Sequence, residues 1–141
     1  MLTSTSEYAL RALSCLAGCD GGVLLGRDLA ELTAVPSTYL SKIMLTLRNA
    51  GLVKARRGSG GGYELARPAK SILLIRIVEL FEGDRARPGC VLGLSVCSER
   101  NPCPAHNSWA DLRLKYIAFL EETTLADISA KGHLKKRMHR A

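Results

Sequence analysis

Apolar residues at positions 8, 9, 12, 13 and 16 fall on one side of an α-helix. Just before them, Ser4-Thr5-Ser6-Glu7 has the S-x-x-E form of a capping box, so a first helix is predicted from near Ser4 to about Gly18. The Asp20-Gly21-Gly22 cluster then breaks the chain. A short helix follows from Arg27 to Leu32, with Leu29 and Leu32 inward, and Thr33-Ala34-Val35-Pro36 makes a turn. Ser37 reads as the N-cap of a longer helix ending near Asn49. In that helix Leu40, Ile43, Met44 and Leu47 are spaced i, i+3, i+4, i+7, which commits one face to the core. The other face carries Thr38, Ser41, Lys42 and Arg48. Two helices joined by a short turn, the second with a small, polar and basic outer face, are the sequence form of a helix-turn-helix.

The pattern then changes to strands. Leu52-Val53-Lys54-Ala55-Arg56-Arg57, the run Gly58-Ser-Gly-Gly-Gly62 and Tyr63-Glu64-Leu65-Ala66 read as a β-hairpin with a glycine-rich tip, and Gly51 closes the preceding helix. A basic hairpin directly after a recognition-like helix is a wing, with Arg56 and Arg57 placed to reach phosphates or a minor groove. The same loop lacks the lysine and Ser/Thr of a nucleotide-binding P-loop. Beyond Arg67-Pro68, Ile72 to Phe81 is apolar on nearly every side, as a helix buried between two layers would be, and Gly83 ends it. A further helix from about Ala105 to Thr123 sets Trp109, Leu112, Tyr116 and Phe119 along one seam and Leu114, Ile117 and Leu120 along another. So much apolar surface on an arm leaving the winged domain predicts a homodimer. Thr123 to Ser129 reads as a short capped helix. The fold expected is mainly α with a small β-hairpin: a winged helix-turn-helix over 1–83, a cysteine-rich loop over 84–104, a dimerisation helix and short terminal helix over 105–131, and a basic tail over 132–141.

Charge and composition sharpen this picture. The 141 residues carry a formal charge of +7, which suits a polyanionic partner. Arg27, Lys42, Arg48, Lys54, Arg56, Arg57, Arg67 and Lys70 lie within one continuous third of the chain. No apolar run approaches the ~20 residues of a membrane span, and Glu7 and Arg11 interrupt the only apolar stretch near the N-terminus. A cytoplasmic protein without a membrane partner is expected, and its five cysteines point to metal or redox chemistry in preference to disulfides. Cys15 and Cys19, at i and i+4 on the segment that forms the first helix and its end, read as structural. Cys90, Cys97, Cys103 and His106 differ: C-x6-C-x5-C-x2-H lies on a polar, Gly/Pro-rich loop, a donor set for a soft metal or an iron–sulfur cluster. Paired carboxylates and a Ser/His/Asp arrangement are missing, so nothing supports a hydrolytic enzyme.

The order of these parts resembles the bacterial winged-helix regulators that include the iron–sulfur assembly regulator, the nitric-oxide-sensitive repressor and the iron-responsive repressors. Its carriers are Glu7-Tyr8-Ala9-Leu10-Arg11-Ala12-Leu13, Ser37-Thr38-Tyr39-Leu40, Arg57-Gly58-Ser-Gly-Gly-Gly-Tyr63, the set Cys90, Cys97, Cys103, His106 and Trp109, and Thr124-Leu125-Ala126-Asp127. The resemblance implies a homodimer on palindromic promoter DNA whose affinity is tuned by an iron–sulfur cluster sensing iron–sulfur status, redox state or nitric oxide, with repression the expected direction. By analogy Cys90, Cys97 and Cys103 are cluster ligands. The fourth is His106 or, alternatively, Glu7 of the partner subunit, which otherwise serves as the capping-box acid. The resemblance puts 2Fe–2S first, as in members that use a histidine, with 4Fe–4S as the alternative; the first spacing of six departs from the five of the best-known members and does not carry the cluster type over. Structural zinc as Cys3His, plain thiol oxidation and an electron carrier are the competing readings. On DNA, Ser37, Thr38, Tyr39, Ser41 and Lys42 are expected in or beside the major groove, Arg48 and Lys54 on phosphates, and Arg57 in or near the minor groove.

Overall fold

The computed structural model describes residues 2–19, 22–59, 61–95 and 98–129. Helices α1 (Ser4–Ala17), α2 (Gly26–Thr33) and α3 (Ser37–Asn49) precede a hairpin of β1 (Val53–Arg56) and β2 (Gly62–Leu65), and α4 (Leu74–Glu82) and α5 (His106–Glu122) follow. The basic tail, Cys97 and the Asp20-Gly21 part of the predicted break lie outside the described residues.

One core joins these elements. Ala9, Ala12, Leu13 and Leu16 of α1 meet Leu29 of α2, the predicted Leu40, Ile43, Met44 and Leu47 of α3, and Leu74, Ile75, Ile77 and Val78 of α4. Each leucine buried here contributes about 1.5–3 kcal/mol. Between α2 and α3 the chain reverses at Ala34, whose φ of 57° is left-handed, while the Val35 N–H donates back to the Ala30 carbonyl. Arg11 stiffens the same corner from α1: its guanidinium donates to the Thr33 carbonyl at 3.1 Å and lies over the Tyr8 ring.

Two predicted caps move. Helix α1 is capped by Thr3, whose side chain accepts from the Ser6 N–H, so the expected box at Ser4 is displaced by one residue and Glu7 takes no part in it. Ser37 is the first residue inside α3, because Pro36 itself occupies the cap with an extended ψ of 135° and its carbonyl receives the Leu40 N–H.

The hairpin pairs Val53 with Leu65 through Arg56 with Gly62. Leu24, just before α2, adds a third edge by exchanging two backbone hydrogen bonds with Tyr63, at 2.9 and 2.7 Å. The chain after α5 returns to the winged unit in the same way: Leu74 N–H donates to the Thr123 carbonyl and Leu125 N–H to the Ile72 carbonyl, burying Leu120 and Leu125 completely. In the turn that follows, the Thr124 N–H donates to the Asp127 carboxylate and the Asp127 N–H to the Thr124 hydroxyl, a reciprocal cap. The Thr124 hydrogen bonds hold the Asp127 carboxyl below its ordinary pKa, so its contribution is present above the usual aspartate range and lost as pH falls through that lowered value. Asp127→Ala is therefore expected to lower the protection of the Thr124 and Leu125 amides at neutral pH and to remove the acid-dependent loss of protection expected of the wild type, measured as hydrogen-exchange protection factors.

Candidate nucleic-acid interface and cysteine loop

The polar face of α3 is displayed outward. Ser37, Thr38, Tyr39, Ser41, Lys42 and Arg48 are all exposed, as are Lys54, Arg56 and Arg57 on the hairpin. Buried Leu40, Ile43, Met44 and Leu47 fix this orientation, since the helix cannot turn about its axis without exposing them. The residues are not equivalent. Ser41 donates its hydroxyl to the Ser37 carbonyl, and Arg56 pairs with Glu64 at 3.1 Å, which partly neutralises it and leaves the charge of Arg57 without such a partner among the described residues. Tyr39 turns back from the face: its hydroxyl shares a hydrogen bond with Thr5 of α1, and its ring stands edge-on to Tyr8 at 5.5 Å.

The second region begins where α4 ends. Arg87 donates to Glu79 of α4 and to Glu121 of α5, pinning the start of the loop to both helices, and these bonds raise its pKa further. The Trp109 indole N–H donates to the Gly89 carbonyl at 2.7 Å, and Arg113, one turn on, donates to the Pro88 carbonyl. Three consecutive residues before Cys90 are thus clamped. The chain then turns over Cys90 so that the backbone N–H of Leu94, and less strongly those of Leu92 and Gly93, point at its sulfur; with the Cys103 thiol also donating, they hold the Cys90 thiol below its usual pKa although desolvation opposes this. Cys103 is buried, and its carbonyl accepts the His106 N–H at the start of α5. His106 lines a shallow cavity with Glu99 and Asp111.

Two of the predicted thiols therefore meet, with His106 opening the adjoining helix. Amide donors converging on a sulfur, on a loop fixed before its first cysteine, suit thiolate ligation of a soft metal or cluster. Among the described residues no set of three ligands is assembled, and Cys97 lies outside them. Glu7 is exposed in the first turn of α1, and its carboxylate makes no hydrogen bond or ion pair among the described residues. Cys15, half-buried against the core, has its thiol pushed up by burial, as an inert structural cysteine should.

The Rrf2 model, described as an iron-dependent transcriptional regulator, matches residues 2–131. The chain belongs to the Rrf2 family. Its relatives include an HTH-type transcriptional regulator of Haemophilus influenzae, 36% identical over 140 residues that cover 99% of this chain and 93% of that one. IscR of Yersinia pestis is 33% identical over 129 residues, covering 90% and 77%. The structure of CymR, the global cysteine regulator of B. subtilis, superposes with a TM-score of 0.76 at 27% identity and covers 92% of this chain and 96% of that one. The winged helix expected from the sequence is the fold of this family, and the protein is a DNA-binding regulator of transcription, not an enzyme.

Within that Rrf2 frame the structure divides the apolar seam of α5. Trp109 and Tyr116 turn toward their own chain, one onto the loop and the other against the core, whereas Leu112 and Phe119 stand outward. Spacing alone could not separate them, because the partner of Trp109 is a carbonyl 20 residues away. Arg87 and Arg113 also escaped the sequence reading. Each looks like an ordinary surface cation, and only the fold supplies the acceptors.

Proposed function

We propose that the protein is a cytoplasmic homodimeric regulator that binds palindromic promoter DNA and sets its affinity through an iron–sulfur cluster at the cysteine loop. The observation that carries this reading is the meeting of Cys90 and Cys103 beneath a fan of backbone N–H groups, on a loop clamped to α5 by Trp109 and Arg113. Cys90, Cys97 and Cys103 are the thiolate ligands, with His106 or the partner subunit's Glu7 as the fourth. Bound there, a 2Fe–2S cluster supplies a redox-active centre sensitive to iron supply and nitric oxide. The chain's own residues do the rest. Arg87 connects the loop to α4 and α5 together, so a change at Cys90 alters how α5 sits on the winged unit and hence how far apart two recognition helices lie in a dimer. Ser37, Thr38, Ser41 and Lys42 face the major groove, Arg48 and Lys54 the phosphates, and Arg57 the minor groove.

Protein purified without oxygen is expected to contain iron and acid-labile sulfide and to absorb in the visible. Cys97→Ala removes both and leaves the dimer mass unchanged. Affinity for a duplex selected by the wild-type chain from a randomised pool should differ between loaded and unloaded protein by about 5- to 150-fold. Equal affinity in both states would sink the cluster mechanism.

The Cys90–Cys103 contact also favours a second reading, a thiol switch. Two thiols and one hydrogen peroxide would give one Sγ–Sγ bond and two waters, the sulfurs oxidised and the peroxide oxygens reduced. Metal-free protein that loses two hydrogens on peroxide treatment, and changes DNA affinity with it, would support this reading over the first.

A further inference from the structure

The N-terminal cap of α1 is built from a distant residue. Thr3 receives the Ser6 N–H on its side chain, but its own backbone N–H and its hydroxyl both donate to the carboxylate of Glu82, at 2.8 and 3.0 Å. This is a capping box whose acid comes from another helix. Glu82 is the last residue of α4, where a negative charge opposes that helix's own dipole, while at the start of α1 the same charge is favourable. A residue unfavourable for its own helix and well placed for another has its reason in the tertiary structure.

What α1 does next gives the cap its consequence. Two residues on, in the same turn, Thr5 bonds the Tyr39 hydroxyl, and Tyr8 of the next turn packs edge-on against the Tyr39 ring. Phe81, the neighbour of Glu82, lines the groove between Thr5, Tyr39 and Lys42. Glu82 also lies close enough to Tyr116 of α5 for its charge, after burial, to help raise that phenol's pKa.

We propose that Glu82 is a positioning residue for DNA binding: through Thr3 it fixes the first turn of α1, and through Thr5 that turn holds Tyr39 and sets the orientation of α3. Tyr39 serves this tie, not base contact. The proposal is independent of whether the cysteine loop holds a cluster or only thiols.

The test measures affinity for the selected duplex at fixed salt, well below the melting temperature of every variant. Glu82→Ala is expected to weaken binding about tenfold, and Glu82→Gln, which keeps an acceptor oxygen for Thr3, to return it to within about threefold of wild type. Glu82→Ala combined with Tyr39→Phe should bind no more weakly than the weaker single variant, since both break one connection. Should Glu82→Ala not fold, Thr5→Val with Tyr39→Phe makes the same comparison at the second link. Wild-type affinity in Glu82→Ala, equal losses in the Ala and Gln variants, or losses that multiply in either double variant would overturn the proposal.

Discussion

Gly62→Ala is expected to be among the most damaging single-methyl changes in this protein, lowering stability by about 3 kcal/mol and weakening DNA binding by at least about tenfold. Gly62 has φ of +148°, outside the range of L side chains, and a Cβ there would lie 2.2 Å from the Leu24 carbonyl oxygen and 2.7 Å from its carbon. These are backbone atoms and cannot rotate away. The Leu24 oxygen is also the acceptor for Tyr63 N–H, so relieving the clash breaks the bridge that holds the wing to the segment before α2. Gly58→Ala is the control. Gly58 also has positive φ, at +100°, but nothing lies within 4 Å of its Cβ position, so only backbone strain is incurred. Denaturant unfolding of the two variants should rank Gly62→Ala well below Gly58→Ala; equal stability would show that the close approach to Leu24 does not matter.

A second large effect is expected from charge on the outer face of α5. Leu112 and Phe119 are each 52% exposed and Leu114 59%, while Leu120 on the inner face is fully buried. If this outer face is where two copies meet, Leu112→Asp or Phe119→Asp buries an unpaired carboxylate in the interface and dissociates it, with little effect on the folded protomer. The mass in solution should halve. Binding to a palindromic duplex should fall by about 100-fold or more, because each half-site is then bound without the second as a tether. The same substitutions should leave binding to a single half-site within about threefold of wild type, since α3 and the wing are untouched. A variant that keeps its dimer mass would move the interface away from this face.

The sequence reading and the structure part company at identifiable residues. Leu40, Ile43, Met44 and Leu47 were legible as a buried stripe because helix periodicity is local: burying one of them dictates which neighbours follow. The wing was legible for the same reason, and its glycines for their backbone freedom. The S-x-x-E motif misled by one position. Such a motif records an acid near a helix start but not a better-placed carboxylate arriving from 79 residues away, which is how Glu82 displaced Glu7 at the cap.

At the cysteine loop the donor types were evident and the geometry was not. Spacing showed three thiols and an imidazole on flexible backbone, whereas the contact of Cys90 with Cys103 depends on Trp109 and Arg113 grasping carbonyls at Gly89 and Pro88. The sequence by itself therefore determined the helix-turn-helix, the wing, the polar outer face of α3 and a loop carrying three thiols, since each follows from periods and residue chemistry within a few turns of chain. Only the tertiary structure decided which acid caps α1, which way Tyr39 turns and which half of the α5 seam remains outward. Those choices are made by single hydrogen bonds between segments far apart in sequence, and no local pattern encodes the distance they close.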